Sequence, residues 1–328
     1  KYVRQPDGTY NFSPCFSYIK PFLENADLMI GNLETTFAGE RLPYSGFPLF
    51  NTPDAYATAL KEAGFNFIIT GNNHSNDTDT RGIVRTISVL DSLGLPHTGT
   101  FSAKADRDSI RLVEIQNTSI AILNYTYSTN GNDLPPGKEY MVNLIDSTLI
   151  LQDISASKKA GAELIIIYYH YGNEYERLPS AYQKKYTELA VHAGADIILG
   201  SHPHVLQPAD FFPTNNGNID TGFVIYSMGN FISNQRDPHT YEGIIVNLHF
   251  KKNEQTKKLS LEKTDYVPTW VYRGTNNKKL HVVFPALDTS AIDADFLLPA
   301  DRIAIENAKN NTARLMESTK GRFIPINR

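Results

Sequence analysis

Apolar residues in this chain gather into short runs that keep fixed company: a helical pattern, then the apolar run, then a polar cluster. Segment 52–64 (TPDAYATALKEAG) opens on Thr-Pro, carries helical apolar spacing and ends on glycine, after which FNFIIT leads into GNNH. Segment 146–161 leads through AELIIIYY into HYGNE, and segment 181–194 leads through ADIIL into GSHPH. Segment 14–25 also reads as a helix and leads through ADLMI into GNLE. Near-continuous apolar runs between helices mark strands buried on both faces and covered by helices, so the pattern predicts an α/β fold with a parallel portion. In such sheets ligands bind outside the carboxyl ends of the strands, which is where the four polar clusters fall.

After Phe223 the pattern changes. FVIYSMGNF, GIIVNLHF, LSLEKTDYVPTWVYR and KLHVVFPA read as strands of a mostly antiparallel second sheet, with turn-rich joints at 215–222 and 276–279. From Ile292 the chain turns amphipathic and helical (ADRIAIENAKNNTARLMES). The expected organisation is one domain over 1–290 and a helical tail over 291–328 that packs on it.

Composition narrows the function classes. With 41% hydrophobic and 20% charged residues over 328 positions, the chain is globular and excludes a disordered or fibrous class. A net charge of −4 with no Lys/Arg block leaves no electrostatic footprint for nucleic acid. No run approaches the roughly eighteen apolar residues that a spanning helix requires. The opening KYVRQPDGTYNF lacks the apolar core of a secretory signal, so any export signal or membrane anchor is expected upstream. The single cysteine, Cys15, excludes an intrachain disulfide framework and a thiolate metal cluster, and reads as a small buried residue.

Candidate chemistry concentrates in the strand-end clusters. Four of the nine histidines lie there: His74, His170, His202 and His204. In GSHPH, residues two apart on an extended segment project to one face, so His202 and His204 can address one centre, with Pro203 barring a helix. GNNH offers Asn73 and His74 in adjacent positions, whose side chains diverge, so that one can ligate while the other faces substrate. Glu34 of GNLE adds a carboxylate. Mixed nitrogen and oxygen ligands without thiolate suit Mn, Zn or Fe. Glu174 reads as a substrate-binding candidate, or as a residue that orients a ligand or pairs with Arg177. Tyr171, Tyr175 and Arg236 are candidates to line a substrate cleft, Arg236 because a guanidinium binds a phosphate or γ-linked carboxylate through two hydrogen bonds.

The series NLE, GNNH followed by Asp77 and Gly82, HYGNEY followed by Pro179 and Gln183, GADIILGSHPHVLQP and YSMGNF resembles the CapA or PgsA-type capsule-synthesis (poly-γ-glutamate) family over 10–250. That family is similar to the calcineurin-like metallophosphoesterases. The resemblance implies a four-layer α-β-β-α sandwich whose first strand, with its Gly-Asp pair, is expected upstream of Lys1. It also implies two divalent metal ions, with Glu34 bridging them, Asn73, His170 and His202 completing one, and His204 serving the other. His74 then falls at the general-acid position. The implied activity is hydrolysis of a phosphoester or amide bond in a capsule polymer or phosphorylated precursor, outside the cytoplasm and tethered upstream, together with other capsule-synthesis or export proteins. The alternative is a noncatalytic scaffold or polymer-binding component of a capsule export complex.

Overall fold

Three of the four apolar runs form strands in the computed structural model, which describes residues 3–214, 218–274 and 280–326, whereas the run ADLMI contributes only Ile30 to a strand. Packing divides the chain into two units, one made of Val3–Ser13 and Leu23–Tyr171, the other of Pro14–Phe22 and the residues from Gly172 onward.

The first unit begins with β1 (Ile30–Asn32), α1 (Ala55–Ala63), β2 (Phe67–Ile69), α2 (Asp79–Ser92) and β3 (His97–Thr98), whose strands pair in parallel in the order β1-β2-β3. A short helix, α3 (Lys104–Arg107), leads to β4 (Leu112–Ile115), β5 (Thr118–Thr126), α4 (Ser147–Lys159) and β6 (Leu164–His170). Here β4 is antiparallel to β5, and β5 is parallel to β6 with Thr126 opposite His170. Every residue of β2 and β6 is buried, which is why their sequences lack the alternation of a half-exposed strand. Gly64 terminates α1, and the Asp146 carboxylate caps α4 by accepting the Leu149 N–H at 2.8 Å.

A buried carboxamide organises this unit. Asn124 on β5 is fully buried; its Oδ1 accepts the Gly71 N–H at 2.7 Å, and its Nδ2 donates to Gly71 O at 3.1 Å and to Tyr168 O at 3.0 Å. One side chain thus fixes the exit of β2, where the GNNH loop starts, against the end of β6, where His170 sits.

The second unit contains α5 (Ala181–Ala193), β7 (Ile197–Ser201), β8 (Ala209–Pro213) and β9 (Thr221–Ile225). Ser180 and Gln183 form a reciprocal capping box at the start of α5, and Gly194 ends it. β9 is parallel to β7 and antiparallel to β8. This corrects the expectation for FVIYSMGNF: its strand belongs with β7 and β8, because its fully apolar FVI core suits a strand enclosed by neighbours on both edges. The antiparallel sheet begins only at β10 (Glu242–Lys252), continuing through β11 (Leu259–Tyr272) and β12 (Val282–Pro285).

Residues from 291 join this second unit. Helix α6 (Pro299–Met316) buries Ile305, Ala308, Thr312 and Met316, and β13 (Phe323–Pro325) pairs in parallel with β11. Trp270, Tyr272 and Phe284 share one apolar cluster with Ile305 and Ala308, so the lone tryptophan is a packing residue.

Segment 14–25 departs from its expected helix and forms two three-residue 3-10 turns, Ser13–Cys15 and Lys20–Phe22. Pro21 explains the break, since it lacks the N–H that a helix needs and its ring clashes with the carbonyl four residues earlier. Cys15 is buried, and that burial pushes its thiol up to about 11, so it is no nucleophile. Of the two expected joints, residues 215–217 and 276–279 lie outside the described residues.

Asn124→Ala tests the clamp. It strands a buried N–H and two carbonyls, each costing about 1–3 kcal/mol when unsatisfied, so unfolding stability should fall by roughly 3 kcal/mol. Chemical denaturation monitored by circular dichroism measures it; an unshifted midpoint would show that the clamp contributes nothing.

Candidate functional site

The loop after β2 is folded by its own polar side chains. Asn72 receives the His74 N–H on Oδ1 at 3.0 Å and donates from Nδ2 to Leu33 O at 2.8 Å, while Ser75 Oγ accepts the Asn72 N–H at 2.8 Å. Held this way, the next two residues diverge. Asn73 Oδ1 lies 2.8 Å from His170 Nε2, and Asn73 Nδ2 donates to Asn130 Oδ1 at 3.2 Å, which keeps the carbonyl oxygen on the histidine side. His170 Nε2 also lies 3.7 Å from Glu34 Oε1, and Asn32 Nδ2 steadies the other Glu34 oxygen at 3.3 Å. Glu34, Asn73 and His170 therefore converge at the carboxyl ends of β1, β2 and β6.

His74 points elsewhere. Its Nδ1 lies 2.7 Å from Asp77 Oδ2, with both side chains buried, and the same oxygen accepts the Phe50 N–H at 2.7 Å. A carboxylate only accepts, so Nδ1 carries the proton and Nε2 is the chemically open nitrogen. The Phe50 ring packs edge-on against the imidazole, with centroids 4.5 Å apart. Asp77 Oδ1 is buried and finds no hydrogen-bond partner.

In the second unit, Glu174, His202 and His204 offer ligand atoms that all lie within 4.8 Å of one another. The two histidines do not sit on an extended segment: His202 has φ 99° and His204 φ 59°, both left-handed. The expected same-face geometry gives way to a tight turn, fastened by the Tyr175 N–H donating to Pro203 O at 2.8 Å. His204 Nδ1 lies 2.9 Å from Asn230 Oδ1. Asn230 Nδ2 is committed to Gln235 Oε1 at 2.9 Å and Thr240 O at 2.8 Å, so its oxygen must accept from His204, which leaves Nε2 as the electron-pair donor. Calcium prefers a shell made wholly of oxygen, whereas one carboxylate with two imidazoles fits a transition-metal dication.

A second carboxamide pair braces these loops. Gln183 Nε2 donates to Gln207 Oε1 at 2.6 Å, and Gln207 Nε2 donates to Glu176 O at 2.8 Å and Leu178 O at 3.2 Å. Gly172 packs against this pair with φ 111°; a Cβ there would come within 2.6 Å of the Gln183 carboxamide carbon.

Several residues take places other than those expected. Glu174 lies with the histidine pair. Tyr171, expected at the cleft, is fully buried and stacks on Tyr169 at 4.9 Å, so its ring belongs to the core and cannot line a substrate cleft. Tyr175 is exposed and lies 6.4 Å from the His204 ring; burial, then the charges of Glu174 and Asp237, push its phenol above the ordinary value. Arg236 is exposed. The sequence pattern gave no roles to Asn72, Gln207 or Asn230, although all three lie inside the quoted motifs GNNH, GADIILGSHPHVLQP and YSMGNF.

The family model described as bacterial capsule synthesis protein PGA_cap matches residues 1–235. This chain belongs to that family. It is 27% identical over 260 residues to the capsule biosynthesis protein CapA of Bacillus anthracis, covering 77% of this chain and 62% of the relative. It is also 27% identical over 257 residues to the PGA biosynthesis protein CapA of Bacillus subtilis (strain 168), covering 77% and 65%. The chain therefore spans less than two thirds of the length of these curated relatives. Among solved structures, the Haemophilus influenzae NAD nucleotidase is similar with a TM-score of 0.50 at 14% identity, covering 95% of this chain and 57% of that one. The likeness is one of fold: an α/β architecture with mixed sheets.

Asn230→Ala should free the His204 ring to rotate and change tautomer. Loss of such a supporting partner weakens metal binding by about 10–100-fold. Calorimetric titration with zinc checks this, alongside a thermal melt to confirm folding; undiminished affinity would show that Asn230 does not set the histidine.

Proposed function

We propose that this chain is the hydrolytic part of a capsule-synthesis protein, acting with divalent metal on a phosphoester or amide bond of a capsule polymer, such as poly-γ-glutamate, or of its phosphorylated precursor. The observation that carries the reading is the convergence of Glu174, His202 and His204 to within 4.8 Å, with His204 presenting Nε2. Glu34, Asn73 and His170 form the second donor group, so the two sets would hold two cations, of Mn, Zn or Fe. Such ions, when bound, stabilise developing negative charge on a substrate oxygen and lower the pKa of bound water.

The chain's own residues supply proton transfer and orientation. His74 would deliver a proton from Nε2 to the leaving group, while Asp77 accepts from Nδ1–H, fixes the tautomer and stabilises the imidazolium that protonation creates. Phe50 shields one side of that ring, and its N–H keeps the Asp77 carboxylate aimed. Membership of a capsule-synthesis family supports action at the cell envelope, alongside other capsule-synthesis or export proteins. No helix among the described residues is long and apolar enough to cross a membrane.

Hydrolysis of bis(p-nitrophenyl) phosphate, with metal content measured in parallel, tests this reading. His74→Ala should lower the rate by roughly a hundredfold or more while retaining metal. Asp77→Asn should lower it too, because an amide can offer Nδ1 a donor in place of an acceptor. His202→Ala should lose metal and activity together. Full activity in His74→Ala would make that histidine structural and favour a binding or scaffold role.

A further inference from the structure

The loop that carries Asn230 runs on through Gln235 to Arg236, and Arg273 follows directly on β11. Arg273 Nη1 donates to Gln235 O, and its guanidinium lies over the Tyr241 ring, 5.5 Å from the centroid. Neither Arg236 nor Arg273 forms an ion pair among the described residues. The Gln235 carbonyl that holds Arg273 belongs to the residue directly before Arg236, so the backbone brings both arginines to one loop. Burial first, then the charge of Arg236, holds Arg273 below the ordinary arginine value, with Tyr241 acting in the opposite sense. Two cations held at one loop repel each other, and an oxyanion that meets both relieves that repulsion.

The pair is also wired to the donor cluster. The Gln235 carboxamide accepts from Asn230, which accepts from His204, and Gln235 Nε2 reaches the Tyr175 hydroxyl at 3.5 Å. We propose that Arg236 and Arg273 form a binding subsite for an oxyanion, either carboxylate or phosphate, carried by the substrate of the Glu174–His202–His204 centre. The identity of that centre rests on the function proposed above; the anion binding does not.

The test is equilibrium titration of the full chain with two probes, a fluorescent γ-linked glutamate oligomer for carboxylate and inorganic pyrophosphate for phosphate, before and after chelation of metal. At least one probe should bind, with an affinity that falls as salt rises, and the probe that binds identifies the source of the anion. Arg236→Ala, an exposed change, should weaken binding about tenfold, and Arg236→Ala with Arg273→Gln about a hundredfold. Arg236→Lys should recover part of the loss, since charge returns without the fork. Arginine-dependent binding that persists in metal-free protein upholds the subsite even where hydrolysis fails. Failure of both probes to bind the wild type, or unchanged affinity in a folded Arg236→Ala protein, overturns it.

Discussion

The hydrogen bonds from Asn124 to both backbone groups of Gly71 are the constraint on which the first unit's chemistry depends. A strand that ends in the interior must release its chain into a loop whose N–H and C=O groups have no ladder to join, and each left unmet costs about 1–3 kcal/mol. A buried carboxamide answers that need because it carries a donor and an acceptor on one rigid plane. By also donating to Tyr168 O, Asn124 locks the β2 exit to β6, and the distance between Asn73 and His170 follows from that lock. The same device recurs at Asn72 within the loop and, in the second unit, at Gln183 and Gln207.

Fixing the loops has a chemical consequence beyond geometry. An imidazole has two nitrogens, and which one is open depends on what the other one meets. Asp77 occupies Nδ1 of His74, and Asn230 occupies Nδ1 of His204. The two partners set different outcomes. In the proposed function the Asp77 carboxylate would stabilise the imidazolium formed at His74, whereas the neutral Asn230 amide would orient His204 with Nε2 toward a metal. Left-handed backbone at His202, His204 and Tyr175 costs of order 1–3 kcal/mol each, and it persists because the Tyr175–Pro203 bond and the glutamine pair hold the turns in place.

The difference between buried strands and bracing side chains explains what could be read from the sequence. The apolar runs of β2, β6 and β7 announce themselves because burial on both faces removes alternation, and the histidines follow those runs directly in the chain. The 14–25 segment misled because its apolar spacing is helical while Pro21 forbids the helix. Tyr171 misled because a residue next to His170 in sequence turns the opposite way in space and packs on Tyr169. Asn124, Asn230 and Gln207 were opaque for a different reason: nothing in local spacing distinguishes a carboxamide that braces a distant loop from one that faces water. Glu174 lay between these cases, visible as a carboxylate near a histidine but without a partner until the His202–His204 turn is folded.

The loop from Asn230 to Arg236 shows how closely support and recognition can share a few residues. Asn230 sets His204, Gln235 sets Asn230, and the backbone of Gln235 holds Arg273. A displacement of this loop therefore cannot move the arginines without also loosening the histidine, and a shift in the histidine is transmitted back along the same bonds. Separate supports would allow each to drift, whereas a shared one makes the position of charge and the position of the donor nitrogen a single structural variable.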